Sequence, residues 1–146
     1  MRRRRGGVRP SGYRSRFEEK VAASLESRGI KFEYEKHSFE LFIKGKQPGR
    51  TCAECGAATL VQKIYYTPDF FLRTKSTIIE AKGNFTAKDR KKAKVFVEQH
   101  PQYSYWMLFM RDNKLTKSSK TRYSEWCAAN GINYSISAEG DTHGIA

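Results

Sequence analysis

Cysteine, long apolar runs and acidic residues are all scarce in this 146-residue chain. Three cysteines, Cys52, Cys55 and Cys127, are too few and odd in number for a secreted disulfide framework, so a reducing cytoplasm is the expected compartment. No apolar run approaches the ~20 residues of a membrane span, and no membrane partner is expected. Arg2, Arg3, Arg4 and Arg5 follow Met1 with no apolar stretch behind them, which is not the form of a secretory signal. No internal repeat is present. Acids number 15 against 28 Lys and Arg, a formal charge of +13. Aromatics at 13% and apolar residues at 38% exclude a disordered polycation. One domain of this size buries roughly 70% of its unfolded surface and folds without disulfides. The positive surplus points to a polyanion, first of all nucleic acid, and leaves the chemistry open.

Residues 1–12 read as a basic flexible arm, with Arg2, Arg3, Arg4, Arg5 and Arg9 among glycine and proline. Ser15 to Arg28 reads as a helix: Phe17, Val21 and Leu25 recur every fourth residue, Ser15-x-x-Glu18 has capping-box form, and Gly29 supplies the stop. Ile30 to Glu35 alternates with period two, and Phe39, Leu41 and Ile43 suggest a second strand. Residues 44–64, rich in Gly, Pro and Cys, read as an inserted loop. Tyr65 to Leu72 and Thr77 to Ala81 read as strands around a turn. Thr86 caps a helix to Gln99, Tyr103 to Met110 is a buried strand, Tyr123 to Ala129 a short helix, and Ile132 to Ile136 a last strand. Residues 138–146 are a short, mildly acidic tail. The class is α/β.

The local signal for chemistry is Pro68-Asp69, ten residues, then Glu80-Ala81-Lys82. Alternate strand residues share a face, so Glu80 and Lys82 project together. A tight hairpin brings Asp69 beside Glu80. Such hard oxygen ligands suit Mg²⁺, with Mn²⁺ able to substitute. A metal there polarises a phosphoryl oxygen and acidifies a bound water, while Lys82 orients that water or steadies developing charge. Glu18 or Glu33 could supply a further carboxylate. Each residue has a plainer role open to it: a turn for Asp69, a solvated strand face for Glu80 and Lys82, a cap for Glu18, and a water-facing position for Glu33.

The pattern resembles the PD-(D/E)xK nuclease superfamily. More of the chain resembles one family within it, the phage endonuclease I Holliday-junction resolvases. The matching residues are Arg14-Ser15-x-Phe17-Glu18, Leu25-Glu26-Ser27-x-Gly29-Ile30, Tyr66-Thr67-Pro68-Asp69-Phe70, Glu80-x-Lys82-Gly83, Asp89-Arg90-Lys91-Lys92 and Tyr123-x-Glu125-x-Cys127. The resemblance implies a restriction-endonuclease-like mixed sheet flanked by helices, in a nuclease domain at 13–137. It implies an intertwined homodimer that resolves four-way and other branched DNA by paired phosphodiester hydrolysis, in a host cytoplasm if phage-encoded. Asp69 and Glu80 would then hold the principal metal, Glu18 of the other chain would help with a second, Lys82 would be catalytic, and Glu33 would be an acidic site residue. The basic side chains Lys88, Arg90, Lys91, Lys92 and Lys94, with the arm at Arg2–Arg5, are the expected phosphate contacts.

The insertion at 44–64 departs from that family, which has a short bridge there. Cys52-Ala-Glu-Cys55-Gly56 has the spacing of half a zinc knuckle. Two copies across a dimer axis would complete a Cys₄ structural Zn²⁺ site; His37 is a weaker candidate within the chain, and free or crosslinked thiols are the other reading. Cys127 beside Trp126 reads as a core residue. Two further functions stay open: a non-catalytic nucleic-acid-binding module with a zinc knuckle, and a nicking or restriction-like nuclease of the same superfamily.

Overall fold

The structure is a computed structural model that describes residues 10–46 and 59–145. Cys52, Cys55 and Arg2–Arg5 lie outside the described residues. Helix α1 (Arg16–Ser27) runs where the apolar repeat predicts it, with the Ser15 hydroxyl accepting the Glu18 amide at 3.1 Å. Gly29, at φ +67°, turns the chain out, and the Ile30 amide closes back on the Leu25 carbonyl at 2.9 Å. The alternating segment after it yields only a two-residue edge strand, β1 (Glu33–Tyr34). Glu35 ends it by adopting φ +46°.

Strands β2 (Phe39–Lys46) and β3 (Thr59–Tyr66) pair antiparallel in an eight-residue register from Phe39↔Tyr66 to Lys46↔Thr59. Within the expected loop at 44–64, residues 44–46 and 59–64 therefore belong to the two arms of a hairpin. Its inward face carries Phe39, Leu41, Ile43, Ile64 and Tyr66, so alternation continues through residues whose glycine and cysteine neighbours obscure it. Pro68 has no amide to give a ladder, and the expected strand at 65–72 is split there into β3 and β4 (Phe70–Leu72).

The main sheet has the order β1-β4-β5-β6-β7, with β5 (Thr77–Lys82), β6 (Ser104–Phe109) and β7 (Asn133–Ile136). β1, β4 and β5 are antiparallel neighbours; β5, β6 and β7 run parallel. This is a mixed sheet with helices on both faces, as the α/β class requires. One face packs α1: Phe17, Val21 and Leu25 meet Phe70, Leu72, Ile79 and Leu108. The other face packs the hairpin together with α2 (Ala87–Gln99) and α3 (Tyr123–Ala129), through Phe39, Tyr66, Ile78, Phe96, Met107 and Cys127. Strand β5 is buried on both faces, which is why Ile78 and Ile79 read as an apolar run rather than an alternation.

Residues 138–145, in the short, mildly acidic tail, pack against the first helix. They lie along α1: the Ser24 and Thr142 hydroxyls are 2.8 Å apart, Lys20 pairs with Glu139 at 3.0 Å, and Arg28 donates to the Thr142 and Ile145 carbonyls. Thr142 and Ile145 are fully buried. Among the described residues, no helix is long and apolar enough to cross a membrane.

Candidate active site

The β4–β5 register pairs Phe70 with Ile79, so the next residues, Asp69 and Glu80, face each other at the open end of the hairpin. Short backbone contacts lock them. The Ala81 amide donates to Asp69 Oδ2 at 2.9 Å, and the Asp69 amide approaches Glu80 Oε2 at 3.3 Å. Glu80 lies on the same sheet face as Ile78, under the aromatic layer, and is only 6% exposed. The Tyr66 hydroxyl donates to its Oε2 at 2.6 Å and lies 3.1 Å from the Tyr105 hydroxyl. Lys82, two residues along the same strand, reaches Glu80 Oε1 at 3.0 Å and Asp89 Oδ1 at 3.5 Å.

Asp89 is the third residue of α2. It closes a reciprocal capping box with Thr86, whose hydroxyl accepts the Asp89 amide while Asp89 Oδ2 accepts the Thr86 amide at 3.0 Å. One side chain thus both starts the helix and holds the lysine. Glu35 reaches the same place from β1. Its amide donates to the Asp69 carbonyl at 3.0 Å and its carboxylate pairs with Arg14 Nε at 3.0 Å. These groups line a cleft of about 200 Å³ bounded by Asp69, Glu80, Lys82, Asp89, Arg14 and Glu35.

Burial, and then the neighbouring Glu80 charge, raise the Asp69 carboxyl well above the ordinary aspartate value. Burial would lower the Lys82 ammonium, but Glu80, Asp69 and Asp89 together raise it above its ordinary value. Lys82 is therefore a fixed cation at neutral pH. Burial opposes ionisation of Asp89, yet Lys82 and the Thr86 hydrogen bonds hold its carboxyl below the usual range. Burial, and then Glu80, raise both phenols, so Tyr66 and Tyr105 remain hydrogen-bond donors.

Among the described residues, no three His, Cys, Asp or Glu side chains gather closely enough to hold a metal ion. Two do converge: Asp69 and Glu80. Their mutual repulsion, visible in the raised Asp69, is what a divalent cation between them would relieve. An all-oxygen pair with room for water fits Mg²⁺, which takes one or two carboxylates and keeps several waters. It does not fit a closed zinc site, which takes four protein ligands.

Three of the five sequence-derived acid and lysine positions, Asp69, Glu80 and Lys82, come together. Glu18 and Glu33 do not line the cleft. Glu18 accepts hydrogen bonds from the Ser15 and Tyr34 hydroxyls and the Arg14 amide, close enough for its charge to add to the raising of Asp69. Glu33 points away and pairs with Arg73 at 3.0 Å. Of the basic helix, Lys92 lines the cleft, whereas the Arg90 guanidinium is spent locally, donating to the Phe85 carbonyl at 2.8 Å. Lys88, Lys91 and Lys94 are exposed. Sequence reasoning gave no role to Tyr66, Tyr105 or Asp89. Asp89 carried a usable signal in its capping-box spacing from Thr86; the tyrosines carried none beyond strand alternation. Cys127 is a fully buried free thiol, pushed up to about 12 by burial and then by Asp112, in keeping with a core role.

Fold and cleft together define an α/β protein that gathers two carboxylates and a lysine at a strand end. The sequence model described as phage endonuclease I matches residues 58–138. Endonuclease I of Escherichia phage T7 is 36% identical over 130 residues, covering 88% of this chain and 76% of the relative. Endodeoxyribonuclease 1 of Enterobacteria phage T3 is 37% identical over 121 residues, covering 82% and 68%. This chain belongs to the phage endonuclease I family.

Proposed function

We propose that this protein is a Mg²⁺-dependent, structure-selective DNA endonuclease that cuts paired phosphodiesters in four-way and other branched DNA, acting as a homodimer. The observation that carries the proposal is the convergence of Asp69, Glu80 and Lys82 in an open cleft of a strongly basic chain. The relatives' names support the reaction class, DNA endonucleolysis.

A divalent cation held by Asp69 and Glu80 would supply Lewis acidity to a phosphoryl oxygen and acidify a bound water. The protein's own residues do the rest. Tyr66, through its 2.6 Å bond, fixes the Glu80 carboxylate so that its orientation need not be organised during the reaction. The Ala81 amide does the same for Asp69. Lys82, charged and held between Glu80 and Asp89, donates to a non-bridging phosphate oxygen or to the attacking water. Its fixed charge suits it to electrostatic stabilisation rather than to proton abstraction. Paired cuts across a four-way junction call for two clefts related by a two-fold axis, which a C₂ dimer of this chain provides. Phosphate contacts and branched shape, rather than base edges, would set recognition.

The decisive assay compares a four-way junction with a linear duplex of the same sequence, with and without Mg²⁺. Wild type is expected to cut the junction symmetrically near the branch, only with metal. Asp69→Ala and Glu80→Ala are expected to lose about 100-fold or more of the cleavage rate while retaining junction binding. Unchanged cleavage in both variants would overturn the assignment of the site. Equal cutting of the linear duplex would make the protein a nicking or restriction-like nuclease instead.

A further inference from the structure

The inward face of the β2–β3 hairpin does not end at the core. Beyond Phe39 and Leu41 it overhangs the first half of α2 and encloses a second groove of about 350 Å³. Ile43, Gln62 and Ile64 form one wall, and Lys88, Lys91 and Lys92 the other. Lys92 belongs to both this groove and the acidic cleft. The two depressions are therefore neighbours across a single lysine.

The three lysines stand at helix positions i, i+3 and i+4, which places them on one face, toward the hairpin. Among the described residues none of the three forms an ion pair. Like charges at that spacing repel and weaken a helix. Here they also line a concavity, where low-dielectric walls focus their field. Such a wall attracts an extended anion. The opposite wall is apolar, with one amide, Gln62. That division, amines on one side and Ile43 and Ile64 on the other, matches a nucleic-acid strand: phosphates toward the lysines, sugar and base faces toward the isoleucines. Arg90 and Lys94, on other sides of α2, do not line the groove.

We infer that the hairpin–α2 groove is a DNA subsite that holds the strand adjacent to the phosphodiester in the cleft, with Lys88 and Lys91 contacting its phosphates and Lys92 marking the passage between subsites. The inference rests on the nuclease reading of the cleft and assigns to the hairpin the task of delivering the strand.

The test measures junction binding without Mg²⁺ between 50 and 200 mM salt, using wild type, Lys88→Ala/Lys91→Ala, Gln62→Glu and, as a control, Lys117→Ala, an exposed lysine that lines neither depression. Lys92 is left intact because it lines the cleft. The double variant is expected to bind about tenfold more weakly at moderate salt, with its log–log salt slope shallower by about 2, one unit for each lost phosphate contact. Gln62→Glu places a carboxylate opposite the lysines and should also weaken binding. Lys117→Ala should leave the slope unchanged. An unchanged slope in the double variant, or an equal loss per lysine in the control, would overturn the subsite. The nuclease reading stands or falls separately, on whether wild type cuts the junction when Mg²⁺ is added.

Discussion

Glu80 shows how a single side chain is prepared for its task. A carboxylate with 6% exposure is costly to bury unless its oxygens are satisfied, and here each is: Oε2 by Tyr66 and the Asp69 amide, Oε1 by Lys82. The two buried phenols contribute unequally. Tyr66 touches the carboxylate; Tyr105 touches only the Tyr66 hydroxyl. Tyr66→Phe should therefore cost about 1.5–3 kcal/mol, the range for a hydrogen bond to a charged group, and Tyr105→Phe about 1 kcal/mol. Urea unfolding of the metal-free proteins checks this, and equal losses would show that the two hydroxyls act as one network. At this scale the sequence was informative where chemistry is local. Asp69, Glu80 and Lys82 follow from strand parity and one turn. The partners of Glu80 do not, because Tyr66 and Tyr105 come from strands separated from it by hairpin and helix.

Elements repeat the pattern. Helices α1 and α2 were legible because their signals are contiguous: an apolar residue each turn, a hydroxyl at the start, a glycine or exposed end to stop. Ser15 is the simplest check. Its side chain satisfies the Glu18 amide at 3.1 Å and donates to Glu18 Oε1 at 2.9 Å. Ser15→Ala should cost about 1 kcal/mol, read as a lower urea midpoint with an unchanged slope. The hairpin was legible only at its open end, Phe39 to Ile43 and Tyr65 with Tyr66. Its two arms pair across a dozen intervening residues; Gly45 within β2, and Pro48, Gly49 and Gly56 between the arms, carry the local marks of a loop. Strand pairing at that distance is decided by the partner face, here Phe39 and Tyr66 against Phe96 at 5.1 and 5.5 Å, which no local window contains. The split at Thr67-Pro68-Asp69 was written in the chain, since a proline cannot donate to a central ladder.

At the scale of the molecule, the last described residues hold the first helix. Gly140, at φ +70°, lies so close to α1 that an added Cβ would stand 2.8 Å from the Val21 amide nitrogen. Gly140→Ala is therefore expected to cost about 1–3 kcal/mol from backbone strain, and more where the strap must lift away. Gly131→Ala, at φ +66° but with open space around the new atom, gives the comparison for strain alone. Thermal unfolding of the pair separates the two contributions, and equal losses would mean that the close approach to α1 is relaxed without cost. Composition marked residues 138–146 only as a short, mildly acidic tail, with no sign of what it packs on. Their partners on α1 lie more than a hundred positions earlier. That separation orders events during synthesis. Ser24 and Thr142 are 118 residues apart, so at about 5–20 residues per second roughly 6–24 s pass between making the helix and making its clasp. The hairpin and strands β4, β5 and β6 are made well before that, while β7 ends only six residues ahead of Thr142. The side of α1 that carries Lys20, Ser24 and Arg28 is therefore secured after the strands its other side packs on.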